Sequence, residues 1–480
     1  MSHSHDTSTT PATYIAIAQA SLLIIISSWA LGGRHPESTS IITIVAWLSA
    51  IPLAMHWMNR GWFGFGKWLL CLSPWIFLSI QILASIYNPL RIPESSLDAS
   101  YITWYKNNPI PFLPICYEPI RTQEYAFIQI GCLLTAVSVF TVIRKREEIH
   151  KLLCIIAANG VILAALGSWF KLSNSPKVLG IFDPVNPNFF ASFRYYNHWV
   201  AFGLLSLAAA AAVVEREIQH QNEFGKYDRT RQRWDIVWIA ATAILWISIP
   251  LSGSRSGLLF AMIFMCIASI RLAIAYRKHT SIFKGMERRS RKTIGTMLLL
   301  GIIIFGAIGF YLASENIMKG MDKSRNQIES NEIDQRFYAS PRDCYKMVKD
   351  RPIWGWGLGS YTYIFSTYAG PEYRHELGKL IRRNEYAHND WMQYWVELGS
   401  IGFIMLISVP LAIVVKTFRR PRKYLECFWL ALGIGLFLTF AAFDFPLGPF
   451  AGIAILCTIF AAGARLSLGP GRIPKFEDYY

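Results

Sequence analysis

Apolar residues in this chain are gathered into runs of about 18–22, the length of helix that crosses the hydrocarbon core of a bilayer. Only 16% of the 480 residues are charged, against 53% hydrophobic. A soluble protein of this length would need more charge to cover its surface. The expected fold is therefore an all-α polytopic membrane protein, not a string of soluble domains.

Hydropathy gives about twelve transmembrane helices. The expected spans are 14–31, 40–58, 68–87, 123–143, 152–170, 196–214, 234–251, 256–276, 294–313, 401–415, 427–443 and 447–465. The formal charge of +16 first suggests nucleic acid, but its distribution argues otherwise. The basic clusters 144–151, 216–233, 271–292 and 416–423 all fall on one side once the N-terminus is placed inside. Short basic loops of this kind set orientation and meet anionic membrane lipids. A multi-pass inner-membrane protein with both termini cytoplasmic is expected, and no nucleic-acid partner.

No cleavable signal peptide is expected, because residues 1–10 are polar and lack a basic start. His3 and His5 read as part of a disordered tail and not as a metal site. Most cysteines lie in apolar spans, where they act as small hydrophobes. Cys116 and Cys344 fall in outside loops. An oxidising compartment would allow a disulfide between them; two free thiols is the other reading.

The organisation follows from the spans: transmembrane helices 1–9 over 1–313, a large periplasmic loop over 314–400, transmembrane helices 10–12 over 401–466, and a cytoplasmic tail over 467–480. A loop as long as the one between spans 9 and 10 is usually functional. It reads as helical, with a helix at 335–349 ending at Arg351-Pro352, a turn at Gly355, Gly357 and Gly359, a helix at 372–381, and another at 389–397 feeding span 10. A shorter outside loop, 171–194, leads into Arg194-Tyr195-Tyr196-Asn197-His198 at the mouth of span 6. Ser252-Gly253-Ser254-Arg255-Ser256-Gly257 is a bare turn between spans 7 and 8.

Three residues stand out as carriers of chemistry. Arg255 opens a membrane helix, where free backbone N–H groups and the positive dipole end favour an anion. A guanidinium added there suits phosphate oxygens; the plainer reading is an arginine snorkelling to headgroups. Arg194 lies at the equivalent end of another span, either as an aromatic-belt anchor or as the second cation for a pyrophosphate. His388, where the late loop re-enters the membrane, is a candidate general base or a packing histidine at a helix start. Asp390 and Glu397 are acidic neighbours and candidates to orient it. Several motifs fail: 253–257 has Arg where a nucleophile elbow needs Ser, 355–360 lacks the third glycine of a dinucleotide loop, and His375-Glu376 lacks a second zinc-protease histidine. No metal and no cofactor are expected.

His388-Asn389, then nine residues, then Gly399-Ser400-Ile401-Gly402, resembles the signature that ends the large periplasmic loop of the O-antigen ligase family. This is the wider WaaL/Wzy-type superfamily of bacterial membrane glycan ligases and polymerases. The turn at 252–257 resembles the family's Ser/Thr-Gly-Ser-Arg turn, Arg351-Pro352 through Gly359 its proline and glycine segment, and Arg194 through His198, more loosely, the approach to its sixth span. Phe403 stands where the ligase pattern often continues with Thr. The Arg-x10-Gly repeats frequent in the polymerases are absent from the late loop, which favours a ligase.

The resemblance implies an inverting, metal-independent glycosyltransferase of the GT-C type. It would move a glycan from undecaprenyl pyrophosphate to a hydroxyl at the periplasmic face. O-antigen onto lipid A core is the first reading. A polymerase of O-antigen or exopolysaccharide, or a protein O-oligosaccharyltransferase, is the alternative. From another class, a flippase or transporter of lipid-linked sugar remains open. His388 would be the base, and Arg255 and Arg194 would bind and stabilise the leaving pyrophosphate. Asn389, Asp390, Ser254, Tyr195, Asn197, His198 and Arg382 would contact substrate. Tyr361, Tyr363, Tyr368 and Trp391 would close over the sugars. The partners are the undecaprenyl-pyrophosphate-linked glycan, lipid A core or another glycan acceptor, and membrane lipids.

Overall fold

A computed structural model describes residues 10–34, 37–60, 64–95, 102–224, 234–277, 340–370, 373, 384–418 and 425–468. The predicted span 294–313, the start of the late loop, the cluster 278–292, Arg382 and the tail from 469 lie outside the described residues, as does the helix expected at 372–381 apart from Tyr373.

The chain starts with α1 (Pro11–Trp29), α2 (Ser38–Trp47), α3 (Ala50–Arg60), α4 (Phe65–Cys71) and α5 (Ser73–Ile86). A hairpin of β1 (Arg91–Ser95) and β2 (Ile102–Lys106) follows, antiparallel with Arg91 opposite Lys106. Next come α6 (Pro119–Val142), α7 (Arg146–Leu172), α8 (Tyr196–Phe224), α9 (Trp234–Leu251) and α10 (Arg255–Arg277). After the undescribed stretch lie α11 (Ser340–Asp350), α12 (Tyr361–Tyr368), α13 (Asp390–Phe418), α14 (Glu426–Phe440) and α15 (Phe450–Leu468). The hairpin is a small addition to a largely helical fold. Its second strand reads Ile-Thr-Trp-Tyr-Lys, rich in the β-branched and aromatic residues that suit a pleated surface.

Seven helices among the described residues are long and apolar enough to cross a membrane, or eight if α4 and α5, bent by 64° at their junction, make one span. Residues 236–251 and 426–440 form shorter apolar helices. Each predicted span within the described residues coincides with a helix or helix pair, and the span 294–313 lies outside them.

Helix α8 is the hub: 94% of its most apolar stretch is buried inside the protein. Its run of alanines lets neighbours approach closely, as small residues do in membrane bundles. A Cβ on Gly160 of α7 would come within 2.5 Å of Ser206, and one on Gly433 of α14 within 2.3 Å of Ala208. At the end of the bundle where α8 finishes, charges pair inside the protein. Arg146 meets Glu426 at 2.6 Å, and Arg271 meets Glu215 at 3.1 Å. These two members of the basic clusters are thus committed to protein carboxylates as well as available for orientation.

At the opposite end, α11 and α12 form a cap with a small core of its own. Cys344, Met347, Tyr361, Ile364 and Phe365 pack against Ala387 and Val396. Cys116 and Cys344 are both buried free thiols, so the structure has no bridge between them. Residues 351–359 then thread against a break in α13. Gly399, with φ 66 and ψ −179, interrupts that helix. Trp356 N and Gly357 N donate to Val396 O and Glu397 O at 3.0 and 2.8 Å, and Ser400 N donates to Pro352 O at 2.8 Å. A Cβ on Gly355 would lie 2.4 Å from Gly399 N. The proline and glycine segment and the first glycine of the His-Asn signature are therefore two halves of one backbone contact.

Candidate active site

The turn from α7 to α8, the start of α10, the start of α13 and the turn between α14 and α15 meet at the cap end of the bundle. Asn389 fixes the start of α13, since its Oδ1 accepts from Met392 N at 3.0 Å, an N-cap of the usual kind. Just before it, His388 sits at φ 54, a left-handed conformation uncommon for a non-glycine residue and a recurrent mark of functional sites. Its Nδ1 lies 3.4 Å from Oδ1 of Asp444. The His388 side chain is 27% exposed and Asp444 only 3%, so a buried carboxylate backs a partly open imidazole.

Asp444 is itself held. Its Oδ1 accepts from Phe445 N at 2.9 Å, and its Oδ2 accepts from Asn197 Nδ2. Asn197 Nδ2 also donates to Tyr195 Oη at 2.9 Å, and its Oδ1 accepts from Ser254 Oγ at 2.6 Å. Ser254 Oγ accepts in turn from Gly257 N at 3.0 Å and so caps α10. A continuous chain of polar side chains thus runs from His388 through Asp444 and Asn197 to the first turn of the Arg255 helix. Arg255 is exposed at that helix start.

An aromatic column stands beside this chain. The Phe445 ring stacks on Tyr386 at 4.5 Å and on Tyr195 at 5.7 Å. The edges of His388 and His198 meet the same ring at 4.8 and 5.0 Å. His198 is buried, and among the described residues its Nε2 has no hydrogen-bond partner. Beyond Tyr386 lies a cationic cluster. Arg34 donates to Tyr386 Oη and, at 2.7 Å, to Glu385 Oε1. Arg121 donates to the same Glu385 oxygen at 3.2 Å. Burial, and then the nearby charge of Arg34, lower the Arg194 guanidinium below its usual range.

The structure brings together His388, Asn389, Asn197, Ser254, Tyr195, His198 and the start of the Arg255 helix, with Arg194 on the flank nearest Arg34. Asn197 and Ser254, expected to contact substrate, are buried and bonded internally. The two carboxylates expected to orient His388 do other work. Asp390 Oδ2 accepts from Leu447 N at 2.8 Å, pinning the turn that carries Asp444. Glu397 accepts from Gly359 N and Tyr361 N at 2.9 and 3.2 Å, tying the glycine segment and the start of α12 to α13. Tyr361 is wholly buried in the cap core and so does not cover a sugar site; Trp391 donates its indole N–H to Leu438 O at 3.1 Å.

Sequence reasoning missed Asp444, Arg34, Arg121, Glu385 and Tyr386. For Asp444 a signal existed: a lone acidic residue in a short apolar turn, Phe443-Asp444-Phe445-Pro446, between two spans.

No curated protein matches the chain. Residues 240–407 match a family model described as O-Antigen ligase. That stretch runs from α9 through α13 and contains both the 252–257 turn and the His388 signature. Over residues 240–407 this multi-pass membrane protein is similar to the O-antigen ligase family.

Proposed function

We propose that this protein transfers a glycan from undecaprenyl pyrophosphate to a hydroxyl acceptor at the periplasmic face of the inner membrane, with O-antigen transfer onto lipid A core as the principal reaction. The observation that carries the reading is the His388–Asp444 pair at 3.4 Å, tied by Asn197 and Ser254 to the helix start that bears Arg255. A carboxylate at Nδ1 favours the tautomer with its proton there and leaves the lone pair on Nε2. Nε2 then takes the proton from the acceptor hydroxyl as the oxygen attacks the anomeric carbon. The lipid pyrophosphate leaves from the opposite face of the sugar, which inverts the anomeric centre. Arg255, at the positive end of α10, and Arg194 stabilise the charge that develops on the leaving group. The lipid diphosphate supplies the activation, so neither nucleotide nor metal is required.

The test is purified protein with lipid-linked donor, offered lipid A core, free glycan and protein acceptors in turn. Product on lipid A core alone supports the ligase reading. Chain extension identifies a polymerase, and product on none of them removes the transferase reading.

A further inference from the structure

Arg34, Arg121 and Arg194 come from three places in the chain: the turn after α1, the first turn of α6 and the approach to α8. Arg34 and Arg121 both reach the same Glu385 oxygen, at 2.7 and 3.2 Å. Arg194 feels the charge of Arg34, and among the described residues it pairs with no carboxylate. Arg121 Nε is buried without a hydrogen-bond partner among the described residues. Guanidinium groups stay protonated, so Arg34 and Arg121 put two positive charges on the Glu385 carboxylate; Arg194 adds to their field and Glu397 lies within electrostatic reach of Arg121, and a net positive charge is left. Two phenols complete the wall: Tyr386 and Tyr125, whose hydroxyls lie 3.3 Å apart. Burial pushes the Tyr386 phenol well above its usual range, so it remains a neutral donor.

We propose that Arg34 and Arg121 form an anion subsite for a phosphate-bearing substrate group, and that the Glu385 carboxylate is its placeholder, displaced when the anion arrives. Planar guanidiniums bind phosphate oxygens in the same forked way as carboxylate oxygens. Glu385 is 47% exposed and can swing out at little cost. It precedes His388 by three positions, so its release acts on the segment that carries the imidazole. The proposal extends the transfer reading, since the anion is a phosphate of the donor or of the acceptor.

The probe is inorganic pyrophosphate, with inorganic phosphate beside it, titrated calorimetrically into the full-length detergent-purified protein. A tethered carboxylate competes at an effective concentration of about millimolar or more. Removing it in Glu385→Gln should tighten pyrophosphate binding by about tenfold. Arg121→Ala should weaken it, and Arg121→Lys should restore little. Unchanged affinity in folded Glu385→Gln, or unchanged binding in Arg121→Ala, overturns the proposal. Thermal unfolding of each variant identifies those that are folded. Binding is read without turnover, so failure here is distinct from failure of transfer. In the transfer assay, a raised KM for donor in Arg121→Ala assigns the phosphate to the donor, and a raised KM for acceptor assigns it to the acceptor. If neither KM moves, the subsite plays no part in the reaction and the proposal fails.

Discussion

His388 and Asp444 divide one task. The imidazole is open enough to meet a hydroxyl, and the carboxylate is buried enough to keep its hydrogen bonds from water. Removing the imidazole in His388→Ala should lower kcat by about 10²–10⁴ while the protein still inserts; normal transfer by a well-expressed variant would rule out the base role. Asp444→Asn should lower kcat with little change in donor KM, because it disturbs the imidazole and not the anion site. Arg255→Lys should recover little of what Arg255→Ala loses, since the forked geometry goes with the guanidinium; recovery to normal rates would reduce Arg255 to a point charge. Burial pushes the thiol of Cys116 up to about 11 and that of Cys344 up to about 12. Both remain protonated at pH 8, so a maleimide should label neither in the folded protein. Both should label in denaturant without reductant, and a requirement for reductant would reveal a disulfide. His388 was legible in the sequence because its signature is local. Asp444 was not, because it lies more than fifty residues from His388, in a turn that hydropathy treats as a gap between spans.

Among the elements, the break in α13 is the most constrained. At Gly399 a side chain would meet Ile353 O at 2.3 Å, on a backbone with φ +66. Gly399→Ala should therefore cost at least about 1–3 kcal/mol from the backbone conformation alone, seen as a lower melting temperature. The cap at the start of α13 separates two roles for Asn389. As a cap, Asn389→Ala costs about 1 kcal/mol and Asn389→Ser restores it. A stable but inactive Asn389→Ser would instead show that the amide touches substrate. The glycine spacing was visible from sequence, but its meaning was not: backbone meeting backbone leaves no pattern of side-chain chemistry. The helices themselves were easy to read, because apolar length alone defines them. The β1–β2 hairpin was not, since a polar and aromatic loop carries no such periodic mark.

Across the whole molecule, the two ends of the bundle do different work. One end gathers the open imidazole and the arginines; the other closes on paired charges. Arg146 and Glu426 are 15% and 4% exposed, and removing one partner of such a pair costs about 3–5 kcal/mol. Arg146→Ala should lower the melting temperature in detergent while leaving donor KM unchanged; a changed KM would mean that the far end communicates with the site. The polar chain that starts at His388 has a further consequence for recombination between relatives. A fragment bounded by 240–407 carries the imidazole and Arg255, but it lacks Asn197, which joins them, and Asp444, which backs the ring. A chimera that exchanges only that stretch would inherit the signature without its wiring, unless the entrance to α8 and the loop ahead of α15 are transplanted with it.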